Sequence, residues 1–115
     1  MSFKNTLEFE KDYKKLFKKF KSLKTDLVEF KKILNKFPLG IGKHFNIITR
    51  VNQTHIIKAR FFCKNLKRKS LRVIYAYYED SQKNIHIEFI EIYFKGNKEN
   101  EDRERIKNYL KNLSI

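Results

Sequence analysis

Basic residues in two alternating stretches between His55 and Tyr78 could act on an anionic substrate. The alternation of β-branched or aromatic residues with polar ones predicts two strands. Successive side chains of a strand point to opposite faces, so Lys58 and Arg60 share one face of the first strand. Arg72 lies on the equivalent face of the second strand. If the two strands fold back as a hairpin, one face brings Lys58, Arg60 and Arg72 together.

The charge around this hairpin is strongly one-sided. Between Lys43 and Tyr78 there are nine Lys and Arg residues and no Asp or Glu, and the net charge of the 115 residues is +14. A cluster of basic side chains does not suit a buried sheet. We therefore expect the cluster to face nucleic acid, an anionic membrane or an acidic protein. The alternative is a solvated basic surface produced by Lys-rich coding. Clustering of the basic residues favours the anionic partner.

Motifs for nucleotide and metal binding are absent from the sequence. Gly42-Lys43 is followed by His44, where a P-loop requires Ser or Thr. The three histidines, His44, His55 and His86, lie far apart without the spacing of metal ligands, and we interpret them as surface or strand residues. The sequence therefore predicts neither a metal site nor a cofactor.

Other catalytic patterns are also unsupported. Cys63 is the only cysteine, which excludes internal disulfides and multi-cysteine metal sites. It shares a predicted strand face with Phe61, which favours a core thiol over a nucleophile. Glu88 and Glu91 are three positions apart on a predicted strand, so we expect them on opposite faces and not as a carboxylate pair.

The predicted location of the protein is the cytoplasm. The first ten residues are polar, without the apolar segment of a signal peptide. No apolar run approaches the ~20 residues that cross a bilayer. A single cysteine fits a reducing compartment. We expect no membrane partner.

Residues 1–115 are interpreted as one domain whose first part is helical. Apolar residues recur at helical spacing from Phe9 to Leu23, and Thr25 is the predicted cap of a second helix ending before Pro38. Two tightly joined amphipathic helices form an antiparallel hairpin that must pack on something else. Phe3–Leu7 is a candidate short strand before them.

The second part reads as strands followed by a helix. Lys43–Val51 is a candidate strand with a turn at Asn52-Gln53, the basic hairpin comes next, and Ile85–Phe94 has the pattern of a central strand. A final helix restarts near Asn100. The order predicts an α+β domain of two layers, with an N-terminal helical hairpin packed on a twisted antiparallel sheet of about four strands, and a C-terminal helix.

A basic sheet that carries aromatic residues can hold a phosphate backbone and stack bases. Metal-free RNA cleavage needs a base for the 2′-OH, cations for the developing charge and a proton donor for the leaving 5′-oxygen. A lysine base needs a lowered pKa, which neighbouring cations favour; an arginine cannot serve because guanidinium stays protonated. The predicted catalytic residues are Lys58, Arg60, Arg72, Tyr93, Lys95 and Lys98. The predicted RNA-binding residues are Lys43, Arg50, Lys64, Lys67, Arg68 and Lys69.

Over nearly its whole length the sequence resembles the RelE/ParE superfamily, the toxins of bacterial and archaeal type II toxin–antitoxin pairs. The resemblance lies in the helical opening EKDYKKLFKKFKSLKTDLVEF and in the segments KARFFCK, LRVIYAYYED and IHIEFIEIYFKGNKENEDRERIKNYL. The run from Ile92 to Ile106 is similar to a RelE-like subgroup in particular. The resemblance implies a helical hairpin packed on a twisted antiparallel sheet.

The resemblance also implies an mRNA interferase, an endoribonuclease that cuts mRNA in the ribosomal decoding site. By position, Lys58 and Arg60 match the paired basic residues of the family's second strand. Arg72 matches the arginine that contacts the scissile phosphate. Lys95 or Lys98 lies where the family has a late basic residue that can protonate the leaving oxygen, and Tyr93 lies near its late aromatic or histidine positions.

Departures from the family keep alternatives open. RelE-type enzymes can carry Lys where this chain has Arg60, which shifts a base role to Lys58, and the Glu/His acid–base set of some relatives has no counterpart. The alternatives are a ParE-like gyrase inhibitor, a catalytically inactive antitoxin-bound relative and a generic RNA-binding domain. The basic cluster favours the ribonuclease. Expected partners are mRNA, the ribosome and a small acidic or amphipathic antitoxin, through which the complex can bind operator DNA.

Overall fold

The structure, a computed structural model, describes residues 1–67 and 70–113. They form, in chain order, β1 (Ser2–Asn5), α1 (Leu7–Lys19), α2 (Leu23–Lys36), β2 (Phe45–Val51), β3 (Thr54–Phe62), β4 (Ser70–Glu79), β5 (Ile85–Phe94) and α3 (Arg103–Leu113). The strands make one sheet in the order β1-β5-β4-β3-β2. No helix in the described ranges is both long and apolar enough to cross a membrane.

The α+β class, the opening helical hairpin and the C-terminal helix are confirmed, whereas the number and direction of the strands are corrected. The described residues form five strands, not four, and the sheet is mixed because β1 runs parallel to β5. Ser2 pairs with His86, 84 positions later. The pattern of a four-residue strand is too short to show which strand it pairs with. The partner of β1 is decided by where β5 lies in the folded domain.

One face of the sheet packs against α1 and α2. The helices contribute Phe9, Leu23, Phe30 and Leu34 to a core that includes Ile57, Phe61, Val73, Tyr75 and Phe89 of the strands. Phe89 is fully buried, and its ring lies 5.3 Å from that of Phe9 and 6.3 Å from those of Phe30 and Tyr75. Such aromatic pairs contribute about 0.5–1.5 kcal/mol each beyond their buried area. This face is therefore given over to packing.

The opposite face packs against α3, so the domain has three layers and not two. Ile106 of α3 is buried against Ile56, Ile74, Ala76, Ile90 and Tyr93. Arg105 fastens the helix to the rest of the domain through its NH1 group, which lies 2.7 Å from Oδ2 of Asp12 in α1 and donates to the carbonyl of Ile90. An 11-residue helix covers only one end of this face.

The start of α2 differs from the prediction for Thr25. The helix begins at Leu23 with Ser22 at the N-cap position, and the Thr25 hydroxyl donates to the Ser22 carbonyl within the first turn. The Ser22 hydroxyl does not cap the helix because it donates to Asp26 and accepts from the backbone N–H of Asn65. Ser22 therefore ties the helical hairpin to the loop after β3.

A β-bulge in β5 overturns the expectation that Glu88 and Glu91 face opposite ways. Glu88 pairs with Ala76 and Glu91 with Ile74, which leaves Ile90 as an extra residue. A bulge shifts the alternation of side chains by one position. Both glutamates therefore lie on the face that α3 covers.

Candidate functional site

A cleft of about 340 Å³ lies on the α3 face of the sheet, beside the segment that leads into the N-terminus of α3. We call it the cationic cleft; it is lined by Lys43, His44, Asn46, Lys58, Ala59, Arg60, Arg72, Tyr93, Lys95, Glu99 and Asn100. Five of these residues carry positive charge and one carries a carboxylate. A concave surface with this imbalance concentrates an anionic ligand.

The register of three neighbouring strands places the arginines in one row. Arg60 of β3 lies directly opposite Arg72 of β4, and Arg72 lies opposite Tyr93 of β5. Neighbouring strands are about 4.8 Å apart, so the backbones of these three residues are closely spaced. Like charges directly opposite each other on a sheet are destabilising. An anion bound between the arginines would relieve that repulsion.

Most of the cleft's cations have no carboxylate partner. Across residues 1–67 and 70–113, no Asp or Glu forms an ion pair with Lys43, Arg60, Arg72 or Lys95. The Arg72 guanidinium is oriented by the Ser70 hydroxyl, which accepts its N–H at 2.7 Å. These four charges are thus available to a bound anion.

Lys58 differs from the other cations because a buried carboxylate lies behind it. Its Nζ donates to Oε1 of Glu101 at 2.9 Å, and Arg103 NH2 lies 3.2 Å from Oε2. Burial on its own would raise the pKa of Glu101, but the hydrogen bond and charge of Lys58 and the charge of Arg103 hold it below its ordinary value. Glu101 is therefore a carboxylate that accepts a hydrogen bond from the Lys58 ammonium group.

Tyr93 is a hydrogen-bond donor in the cleft. Burial, together with the charges of Glu101 and Glu91, raises the pKa of Tyr93 to about 12, against a smaller lowering by Arg72. The phenol is therefore neutral near pH 7 and cannot act as a base there. The ammonium group of Lys98 lies 5.3 Å from the centre of its ring, a cation–π distance.

Five of the six predicted catalytic residues line the cationic cleft, and Lys98 does not. Its ammonium group is paired with the buried carboxylate of Glu91, whose other oxygen accepts the backbone N–H of Asp102 at 2.8 Å. Lys98 lines a second groove, between α1 and β5, together with Tyr93. The cleft and the second groove thus meet at Tyr93.

The predicted RNA-binding residues are dispersed. Lys43 lines the cleft, whereas Lys64 and Lys67 line an adjoining depression that shares Arg60 with it. The loop carrying them is anchored by the Lys64 backbone N–H, which donates to buried Asp26 at 3.2 Å. Arg50 is exposed on β2 and lines neither hollow. Predictions for Arg68 and Lys69 fall outside the described residues.

Sequence reasoning missed several cleft residues. His44 lies beside Arg60, whose backbone N–H donates to the His44 carbonyl at 2.9 Å. Its ring meets the Phe62 ring edge-on with centroids 5.8 Å apart. Glu99 and Asn100, in the segment after β5, also line the cleft. Predicting that His44 lies beside Arg60 would have required the pairing of β2 with β3. No local sequence pattern indicates that Glu99 and Asn100 line the cleft.

Of the side-chain types that commonly bind metal ions, His44 and Glu99 line the cleft. Considering only the described parts of the chain, no three His, Cys, Asp or Glu side chains converge on a point that could hold a metal ion. His44 and Glu99 are the two cleft residues that carry an imidazole or a carboxylate, side chains that commonly serve as general bases. The cleft therefore offers cations, a phenol and two candidate proton acceptors.

Comparisons of the chain with protein-family models, with curated proteins and with solved structures give no match. The resemblance to the RelE/ParE superfamily consequently rests on the sequence segments alone. The toxin function and the partners that it implies stay predictions.

Proposed function

We propose that the protein is the RelE-like toxin of a type II toxin–antitoxin pair and cuts ribosome-bound mRNA in the cationic cleft. The supporting observation is the convergence of Arg60, Arg72, Lys43 and Lys95, none paired with a carboxylate of the described residues, in a cleft that Lys58 also lines. Preorganised cations of this kind stabilise charge that develops on a phosphoryl group.

The proposed reaction needs no metal. The 2′-oxygen attacks the adjacent phosphorus, the bond from phosphorus to the 5′-oxygen breaks, and the products are a 2′,3′-cyclic phosphate and a 5′-hydroxyl end. Arg60 and Arg72 stabilise the negative charge on the phosphoryl oxygens. His44 or Glu99 accepts the 2′-OH proton, and a lysine ammonium group that lines the cleft delivers a proton to the leaving 5′-oxygen. The neutral hydroxyl of Tyr93 donates a hydrogen bond to the phosphate.

Expression of the protein alone tests this proposal. We expect growth arrest and cuts within translated mRNA, mapped by primer extension. The double variant Arg60→Ala/Arg72→Ala should lose at least about 100-fold in cleavage, as when donors to a transition-state oxyanion are removed. Lys11→Ala/Lys14→Ala removes the same charge from exposed positions of α1 and should cleave like the wild type.

Three results would overturn the proposal. One is arrest that persists unchanged in folded Arg60→Ala/Arg72→Ala protein. Another is plasmid that accumulates in cleaved or relaxed form in a gyrase supercoiling assay while mRNA stays intact, as expected for a ParE-like inhibitor. The third is binding of RNA without cleavage, on or off ribosomes, which would indicate an RNA-binding domain.

The proposed antitoxin fits the second groove. This groove, of about 550 Å³, has an apolar floor that includes Leu16, Ile92 and Phe94 and a rim of four lysines, Lys15, Lys18, Lys19 and Lys98. Charge complementarity favours an acidic segment that presents apolar side chains to the floor. The antitoxin would then cover Tyr93 where the two hollows meet.

Titration calorimetry with the product of an adjoining acidic reading frame tests this assignment. Lys15→Glu/Lys19→Glu should weaken binding at least about tenfold at low salt, since close charge pairs contribute ~1.5 kcal/mol or more. The matched control Lys11→Glu/Lys14→Glu should bind normally. Equal binding by both variants would place the antitoxin elsewhere.

A further inference from the structure

Glu101 is a buried carboxylate in a domain dominated by positive charge. Its side chain is 2% exposed, while that of Lys58 is 26% exposed. Burying a carboxylate is costly unless hydrogen bonds and opposite charge compensate it. Here the compensation comes from exposed Arg103, 3.2 Å from Oε2, and from Lys58, which lines the cationic cleft. The pair of Glu101 and Lys58 therefore connects the interior to the proposed site of chemistry.

We infer that Glu101 is a positioning residue that holds Lys58 as an ammonium ion, which makes Lys58 a cation and proton donor and not the general base. This inference rests on the proposed RNA cleavage for its catalytic meaning. It assigns to Glu101 a role that no sequence pattern suggested, because Lys58 and Glu101 are 43 positions apart.

The carboxylate is held in place independently of Lys58. The next residue, Asp102, donates its backbone N–H to the buried carboxylate of Glu91 in β5 at 2.8 Å. Arg105 of α3 pairs with Asp12 of α1 at 2.7 Å. The segment that carries Glu101 is thus attached to the sheet and to α1. Glu101 therefore fixes the position of the Lys58 ammonium group.

The other charges in the cleft act in the opposite direction on Lys58. Lys43, Arg60, Arg72 and Lys95 line the same cleft, and crowding by cations favours a neutral amine. The remaining titratable groups that line it are His44, Tyr93 and Glu99. The carboxylate decides between the two roles.

The ammonium form has a defined place in the reaction. As the bond from phosphorus to the 5′-oxygen breaks, Lys58 Nζ transfers a proton to that oxygen and becomes a neutral amine. His44 or Glu99 takes the proton of the 2′-OH. Proton exchange with water then restores both groups, so the cycle balances without a further reactant.

The variant Glu101→Gln should change RNA cleavage in opposite directions, depending on whether Lys58 is the proton donor or the general base. The amide keeps the size of the side chain but removes its charge, so Lys58 should lose its proton at lower pH. If Lys58 is the donor, the alkaline loss of cleavage on programmed ribosomes moves down by at least about one pH unit. If Lys58 is the base, cleavage near neutral pH rises instead, which overturns the inference.

A matched control distinguishes this effect from a general change of charge. Glu104 is exposed in the first turn of α3, and Glu104→Gln removes one carboxylate close by in the chain. Its pH profile should match that of the wild type. An equal displacement in both variants would also overturn the inference, since the effect would then not depend on contact with Lys58.

A second measurement does not depend on activity. Side-chain NMR of labelled lysines, with Lys58 assigned from its absence in Lys58→Arg, should show Lys58 losing its proton at lower pH in Glu101→Gln than in the wild type or Glu104→Gln. If Glu101→Gln does not fold, the NMR titration of the wild type tests the inference by itself. Loss of the Lys58 proton near pH 7 in the wild type would overturn it. A shift without any RNA cleavage by the wild type would reject the proposed function and leave the Glu101 assignment standing.

Discussion

The two faces of the central sheet are built from the same strands but differ in what they bury. Under α1 and α2 the inward positions are apolar, with Ile57, Val73 and Phe89 fully buried. On the other face, Ile74 lies under α3, while Arg60 lines an open cleft. The comparison shows that the hairpin side is used for packing, whereas the α3 side combines an apolar cluster under the helix with an open basic cleft.

The faces also differ in how they bury charge. On the α3 face Glu91 and Glu101 are almost fully buried, and each is paired with a lysine. On the hairpin side Asp26 is the buried acidic residue of α2, and it accepts from Ser22 and from the Lys64 backbone. The buried carboxylate on the hairpin side thus anchors a loop, whereas the two on the α3 face contact cations near the cleft.

The largest expected loss of stability comes from the centre of the apolar face. Phe89→Ala should lower the free energy of unfolding by about 3–5 kcal/mol, because a fully buried aromatic leaves a cavity. Urea unfolding followed by circular dichroism measures this. Phe62→Ala is the control, since Phe62 is 65% exposed, and it should change stability by under ~1 kcal/mol. Equal losses would contradict the assignment of packing to the hairpin side.

A smaller loss is expected from the buried carboxylate beside the cleft. Glu91→Ala removes the acceptor of the Asp102 N–H and the partner of Lys98. Since the Lys98 side chain is 40% exposed and can turn to water, the cost should be about 1–3 kcal/mol. Urea unfolding of Glu91→Ala and of the exposed control Glu99→Ala checks this. A Glu91→Ala protein as stable as the control would show that the pair contributes nothing.

Asp80, in the turn between β4 and β5, should make a still smaller, pH-dependent contribution. The hydrogen bond with His86 and the backbone N–H groups of Asn84 and Gln82 lower its pKa to about 2, although burial acts in the opposite direction. A lowered pKa in the folded state stabilises the protein above the unfolded pKa near 4. That stabilisation is lost as pH falls towards 2.

Urea unfolding of the wild type and Asp80→Asn between pH 6 and pH 2 measures this contribution. The difference in stability between the two proteins should be constant above pH 5 and shrink below pH 4. A difference that stays the same down to pH 2 would mean that the Asp80 carboxylate makes no charge-dependent contribution.

The smallest effect on stability is expected in the cleft itself. Arg60→Ala and Arg72→Ala each remove one of two like charges that lie opposite each other. Stability should stay within about 0.5 kcal/mol or rise slightly. RNA binding should nevertheless weaken, with the slope of log K against log salt reduced by about 1 per arginine. A large loss of stability would show that the arginines also support the fold.

Local sequence patterns were enough to predict several features. Alternation placed Lys58, Arg60 and Arg72 on one face because successive side chains of any strand point to opposite sides. Helical spacing predicted the opening hairpin and the last helix in the same way. These features depend on the geometry of neighbouring residues, which is written directly in the order of the chain.

Long-range pairing decided the rest. The partner of β1, the extra residue Ile90 in β5 and the position of His44 beside Arg60 all depend on register between distant strands. The pairing of Lys58 with Glu101 requires α3 to return over the sheet. The amino-acid sequence thus determined a basic strand face. The tertiary structure separated its cations into those free to bind an anion and those held by buried carboxylates, because ion pairing depends on distance in space and not on distance along the chain.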